Sequence, residues 1–252
     1  MTFYADIAFY AVALIAIVPA FLLGVMEKRI RIYAFAVSLV FIGLVYSKNP
    51  CELVAFVVFA VYALTLIGSY HLLRRHFGRK AWMYRVFLAL SLGPLVLFKL
   101  APFLQIDILG FLGISYITFK VLQILIETYD GVIKEFKLFE TIAFLLFFAP
   151  LSAGPIDRSR RFAEDFNKRI TRGDYLELFG SGLKKLMLGL CYKFVVAELL
   201  SGWLIAFIGK FDPLSLLAYI YLYGLNLFFD FAGYSLMAVG LSYMFAIRTP
   251  DN

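Results

Sequence analysis

Apolar stretches of roughly 17–25 residues, the length that crosses a hydrocarbon core as a helix, recur along this chain between short polar breaks. They fall at about Ile7–Met26, Ile30–Tyr46, Leu53–Tyr70, Met83–Leu100 and Leu109–Ile126, then at Leu183–Ile208 and Leu214–Phe231. The pattern predicts an all-α polytopic membrane protein with seven spans in one membrane domain, 1–252. A shorter run, Thr141–Leu151, has too few apolar residues for a comfortable crossing and leads into Gly154-Pro155, which breaks a helix. A full crossing would also leave the basic stretch 158–172 outside. A re-entrant segment over 141–151, returning to the side it left, is the expectation, with Gly154 and Pro155 as its structural turn.

Charge orients the spans. Lys28, Arg29 and Arg31 occupy the first break, and Arg74, Arg75, Arg79, Lys80 and Arg85 the third. The second break has only Lys48, and the fourth, Ala101–Ile108, has no Lys or Arg. By the positive-inside rule the amino terminus lies outside and the basic breaks are cytoplasmic. The terminus lacks a basic n-region and a small-residue cleavage site, so the first span is expected to stay as an anchor.

Composition agrees: 63% of residues are hydrophobic, 16% are charged and the mean hydropathy is +0.87. The net charge of +7 needs no nucleic acid to explain it, because cytoplasmic membrane loops are basic. Cys51 and Cys191 are far apart and give neither a disulfide framework nor a metal spacing. No metal site, phosphate loop or nucleophile elbow is visible. His71 and His76 fall in the basic stretch Tyr70–Lys80 and read as membrane-surface residues. Phe162 and Phe166, four apart among arginines and lysines, predict an amphipathic surface helix within Asp157–Arg172.

Two spans carry polar stripes. Tyr116, Lys120, Gln123 and Glu127 share one helix face, and Tyr219, Tyr223, Asn226, Asp230 and Tyr234 share another. A charge at bilayer depth costs about 2.5–3.5 kcal/mol even on lenient scales, so such residues face protein or a watery cavity. Mutual pairing across helices explains Lys120 and Glu127, with snorkelling open to Lys120. Lys193 reads as a structural partner or a snorkelling residue. Asp230 sits among aromatics beside Gly233, where a chain or ligand can approach the backbone, and favours a functional setting.

Several strings then resemble one family. Gly113-Ile-Ser-Tyr-Ile-Thr-Phe-Lys120 with Ile126-Glu-Thr-Tyr-Asp-Gly131, Ser152-Ala-Gly-Pro-Ile-Asp-Arg158, Phe228-Phe-Asp-Phe-Ala-Gly-Tyr-Ser235 and Met244-Phe-Ala-Ile-Arg-Thr-Pro-Asp-Asn252 are similar to motifs of the membrane-bound O-acyltransferases. Asp130-Gly-Val-Ile-Lys-Glu-Phe136 and Tyr192-Lys-Phe-Val195 point to the family's D-alanyl-transfer branch. The resemblance implies a ring of tilted transmembrane helices around a thinned centre pierced by a tunnel. Asn226, Asp230, Tyr234, Ser235, Lys120, Gln123 and Glu127 are then candidate tunnel-lining residues. It implies no bound cofactor. The acyl donor would be a D-alanyl-loaded phosphopantetheinyl carrier protein on the cytoplasmic side, and the acceptor lipoteichoic or teichoic acid. The setting would be the plasma membrane of a Gram-positive bacterium.

One departure shapes the expectation. The family's catalytic histidine belongs to a Trp-His segment beyond the Pro-Asp-Asn string, and the sequence runs to Asn252. No catalytic residue is therefore assigned within the chain, which reads as the amino-terminal part of a longer enzyme, inactive alone and without the carrier-docking helices. Competing readings are a polysaccharide O-acetyltransferase of the alginate-acetylation type, a transporter or channel bundle, and a purely structural membrane subunit.

Overall fold

The computed structural model describes residues 4, 6–47, 49–103, 105, 111–152, 154–210 and 212–251. These form α1 (Ile7–Val25), α2 (Arg31–Tyr46), α3 (Pro50–Phe77), α4 (Ala81–Leu100), α5 (Ile114–Asp130), α6 (Leu138–Leu146), α7 (Ser159–Asn167), α8 (Arg172–Cys191), α9 (Glu198–Ile205) and α10 (Pro213–Met244). A π-helical turn, Tyr192–Ala197, fuses α8 to α9. Among the described residues, five helical stretches are long and apolar enough to cross a membrane: α1, α3, α4, the fused Arg172–Ile205 rod and α10. The chain is therefore an all-helical, multi-pass membrane protein. Its outward faces carry large apolar side chains, among them Ile15, Val58, Leu97 and Phe228, as a lipid-facing surface requires.

Several helices run beyond the apolar stretches that announced them. α3 continues to Phe77, so His71 and His76 are helical rather than in a loop. Arg74 and Arg75 in its last turn meet the negative end of the helix dipole, and Gly78, at φ +73°, turns the chain away. α10 continues past Phe231 to Met244, because Gly233 and Gly240 let it pack closely on α8. The expected start of the fifth span, Leu109, lies outside the described residues; α5 opens after Gly113, at φ +93°.

The segment from α6 to α7 doubles back. After Leu146 the chain runs non-helically, with Phe148, Ala149 and Leu151 wholly buried. Its backbone polar groups find side-chain partners: Phe148 N–H donates to Ser38 Oγ at 3.3 Å, and Tyr4 OH donates to the Ala149 carbonyl at 2.8 Å. Gly154, at φ +128°, turns the chain where a Cβ would meet Ala238 Cβ at 2.8 Å. The two ends of the excursion meet, Asn167 Nδ2 donating to Glu140 Oε1 at 2.8 Å. The apolar face of α7 points into protein instead of lying on a surface. Phe162 and Phe166 are buried, Phe162 5.5 Å from Phe144 and 5.4 Å from Phe147 between ring centres.

Contacts gather the basic segments at one end of the bundle. Arg31 Nη1 donates to Asn167 Oδ1 at 3.0 Å, Arg172 N–H to Glu27 Oε1 at 2.9 Å, and Arg248 N–H to Asp165 Oδ2 at 2.7 Å. A cleft there brings His71, Lys134 and Arg160 to common walls.

Candidate functional site

The first polar stripe meets the doubled-back segment. Lys120 is buried on α5, and its Nζ donates to the carbonyls of Phe144 at 2.8 Å and Leu145 at 3.4 Å. These belong to the last turn of α6, where carbonyls lack intrahelical partners and the dipole is negative. An interior ammonium thus caps a helix that stops inside the protein. The Phe144 ring lies 5.1 Å from the same nitrogen. Lys120 neither snorkels nor pairs with Glu127.

One turn on, Gln123 Oε1 accepts from the Ser159 N–H at 3.2 Å, fastening the start of α7. Gln123 Nε2 and Glu127 Oε2 are buried without a hydrogen-bond partner. Two residues before Ser159 stands Asp157, not singled out from the sequence as a site residue although it lies within the Gly-Pro-Ile-Asp-Arg string. Its Oδ1 accepts from Arg158 N–H at 2.6 Å and Arg161 Nε at 2.8 Å, while Oδ2 is buried without a partner. Burial pushes its carboxyl above the ordinary carboxylate value, and Arg161 pulls the other way.

The second stripe has different partners. Asp230 accepts from Lys193 Nζ at 2.5 Å, and that nitrogen lies 3.7 Å from the centre of the Tyr234 ring. Asn226 Nδ2 donates to the Ala197 carbonyl at 2.6 Å. Lys193 and Ala197 both belong to the π-helical turn, so α10 places both of these polar contacts on it. The backbone approaching Gly233 is that of Gly189 and Lys193, and Ser235 is buried beside it. Tyr219 and Tyr223 stack on each other, 6.1 Å between ring centres.

Tyr4 joins α10 to the doubled-back segment, an arrangement no spacing in the sequence announced. Its wholly buried ring packs 6.1 Å from Tyr234, and its hydroxyl holds Ala149. Tyr10 OH donates to the Tyr4 carbonyl at 3.0 Å and lies 3.2 Å from Met237 Sδ. Lys120 and Gln123 therefore sit with α6 and α7, whereas Asn226, Asp230 and Tyr234 sit with the π-helical turn. Direct contacts do not bring the two stripes together.

Neither histidine stands at these interior groups. His71 lines the cleft at the basic end, and His76 lies in the last turn of α3. Among the described residues no group of three His, Cys, Asp or Glu is placed to hold a metal ion. The site holds charges and positions backbone in the interior, but offers no histidine to take a proton there.

Comparison with known proteins covers the whole chain, although no family model matches it. It is 34% identical over 264 aligned positions to the teichoic acid D-alanyltransferase of Bacillus subtilis, spanning all of this chain and 67% of that protein. It is 36% identical over 255 positions to the teichoic acid D-alanyltransferase of Streptococcus thermophilus, spanning 97% of this chain and 61% of that protein. A probable alginate O-acetylase of Pseudomonas aeruginosa is 32% identical over 158 positions, 62% of this chain and 30% of its own length. The chain thus spans about two thirds of the length of the D-alanyltransferases it matches.

Proposed function

Since the chain belongs to the teichoic acid D-alanyltransferase family of membrane-bound O-acyltransferases, we propose that it forms the amino-terminal part of an enzyme that esterifies lipoteichoic or teichoic acid with D-alanine. The observation carrying this reading is identity that extends over the whole chain to D-alanyltransferases and over 62% of it to alginate O-acetylases. The donor is a D-alanyl thioester on a phosphopantetheinyl carrier protein at the cytoplasmic side. An acceptor hydroxyl attacks the thioester carbonyl, the C–O bond forms, the C–S bond breaks, and the hydroxyl proton passes to a base as the thiolate leaves and is protonated.

In this reading the helices form a ring in the plasma membrane of a Gram-positive bacterium, with the amino terminus outside. The convergence of basic segments at one end of the bundle supports that orientation. The segment from α6 to α7 is re-entrant, supported by the Glu140–Asn167 contact that joins its ends. It thins the protein at its centre, where an acyl group could be handed between the two faces. The polar groups of α5 and α10 line the approach, Lys120 and Gln123 by fixing the re-entrant backbone and Asn226, Asp230, Tyr234 and Ser235 by fixing α10. Because no histidine stands at these groups, residues 1–252 alone are expected to transfer no D-alanine.

Deletion of the gene and analysis of envelope esters tests the reading. Loss of D-alanine ester, restored by the whole reading frame and not by residues 1–252, is the expected result. Unchanged D-alanine ester with loss of acetyl groups from an exported polysaccharide would overturn it in favour of the acetylation branch.

A further inference from the structure

Where α3 ends, a groove of about 720 Å³ opens between its last turns and the chain that follows α5. Arg74, Arg75, Arg79 and Lys134 line it, and Glu135 is the only carboxylate on its walls. Arg79 is engaged, reaching Asp130 at 3.4 Å and lying 4.3 Å from the centre of the Tyr129 ring. Arg74 keeps a buried Nε with no hydrogen-bond partner. Among the described residues, Arg75 and Lys134 enter no ion pair. Four cations against Glu135 and Asp130 leave an excess positive charge facing one space. A helix C-terminus accounts for basic residues in its own last turn, as Arg74 and Arg75 are. It does not account for Lys134, which comes from a different segment and lines the same groove.

The groove does not stop at its cationic mouth. It shares His71, Lys134, Glu135 and Phe136 with the neighbouring cleft of about 580 Å³. Ile67, Ile124, Val132 and Ile133 line that cleft together with charged side chains, among them Lys137, Glu140, Arg160 and Glu164. Outside the mouth the surface is apolar, with Leu72, Phe77 and Trp82 all more than half exposed. These side chains stand at the facing ends of α3 and α4, both long and apolar enough to span a membrane. A site with cations along its walls and a lipid-compatible surface around it matches an amphiphile with an anionic head.

We propose that this groove binds the phosphate headgroup of an anionic phospholipid. Arg75 and Lys134 contact the phosphate, and the acyl chains lie along the apolar surface of Leu72, Phe77 and Trp82. The assignment is independent of the acyl-transfer reading.

The test is native mass spectrometry of the purified protein in detergent, titrated with phosphatidylglycerol or phosphatidylcholine. Phosphatidylglycerol should be retained at least about tenfold better. The Arg75→Ala/Lys134→Ala variant should weaken it about 25-fold, about fivefold per cation. Arg75→Lys in the wild-type background should keep most of the binding. Arg169→Ala/Lys184→Ala removes two exposed cations outside the groove and should change little. Equal retention of both lipids, unchanged retention in the groove variant, or an equal loss in the remote variant overturns the proposal. Displacement of the lipid by inorganic phosphate at matched concentration also overturns it, marking a site for a soluble anion.

Discussion

Lys193 donates to Asp230 at 2.5 Å while its ammonium rests against the face of Tyr234, and it does so from a π-helical turn. The pair is unequal: the lysine side chain is 13% exposed and the aspartate 36%. Within a spanning helix either charge left alone is unpaired, and the more deeply buried ammonium keeps only an aromatic face. Asp230→Ala should therefore cost about 1–3 kcal/mol, more than Lys193→Met. A double-mutant cycle on thermal unfolding in detergent checks this. Losses that simply add across the two sites would show that the pair contributes nothing of its own.

Beside that pair, α8 and α10 touch backbone to backbone. A Cβ on Gly240 would stand 2.7 Å from the Gly182 carbonyl oxygen and 2.8 Å from Leu186 N, and one on Gly189 would stand 2.7 Å from the Gly233 carbonyl. No flexible side chain can yield there, so the helices must separate. Gly240→Ala and Gly189→Ala should each destabilise by about 1–3 kcal/mol. Gly224→Ala, with nothing within 4 Å of its Cβ, should be neutral or slightly stabilising. Melting temperatures of the three variants in one detergent decide it, and equal effects at Gly224 and Gly240 would refute the close-contact account.

The glycine seam also marks what could be read from the residues in order and what could not. Apolar runs placed the cores of α1, α2, α4 and α10 well, because burial in lipid or protein acts on each run locally. Helix extents were harder. Gly233, Ser235 and Gly240 weaken the apolar signal at the end of α10, and their fitness for a helix depends on α8 lying against them. The polar stripes on α5 and α10 were legible as faces. Their partners were not: Lys120 finds carbonyls 24 and 25 residues away, Asp230 finds a lysine 37 away, and Tyr4 finds a carbonyl 145 away. Periodicity describes one element, whereas partners depend on how elements pack. The chemistry was legible chiefly through motif strings, since no charge cluster on its own specifies D-alanine.

Asp212 offers a titration with a clear sign. It caps α10, its Oδ2 accepting from the Ser215 N–H at 2.9 Å, and this hydrogen bond holds its carboxyl below the ordinary value. A depressed folded-state pKa stabilises above the unfolded value and loses that contribution as pH falls through the folded value. Protection of the amides in the first turn of α10 against hydrogen exchange should therefore fall on acidification below about pH 4. Asp212→Ala should show the low protection at every pH. A variant whose protection still tracked pH in that range would assign the titration to another group.

Lys120 carries the strongest expectation about the interior. Its ammonium serves two carbonyls in the last turn of α6, and the chain beyond that turn is the buried non-helical stretch that begins at Phe147. Lys120→Met keeps much of the aliphatic volume but leaves those carbonyls without the donor, at about 1–3 kcal/mol for a buried group left unsatisfied. Arg in the same place brings donors in a planar fork that a site shaped for an ammonium does not fit. Both variants should loosen the end of α6 more than they loosen α10. Amide exchange should rise about 5- to 150-fold around residues 144–149, as a local opening of that free energy implies. If exchange rose equally in α10, the lysine would be supporting the whole bundle instead of capping one helix. If exchange at 144–149 were unchanged, the carbonyls would have found another donor, and the capping role would be refuted.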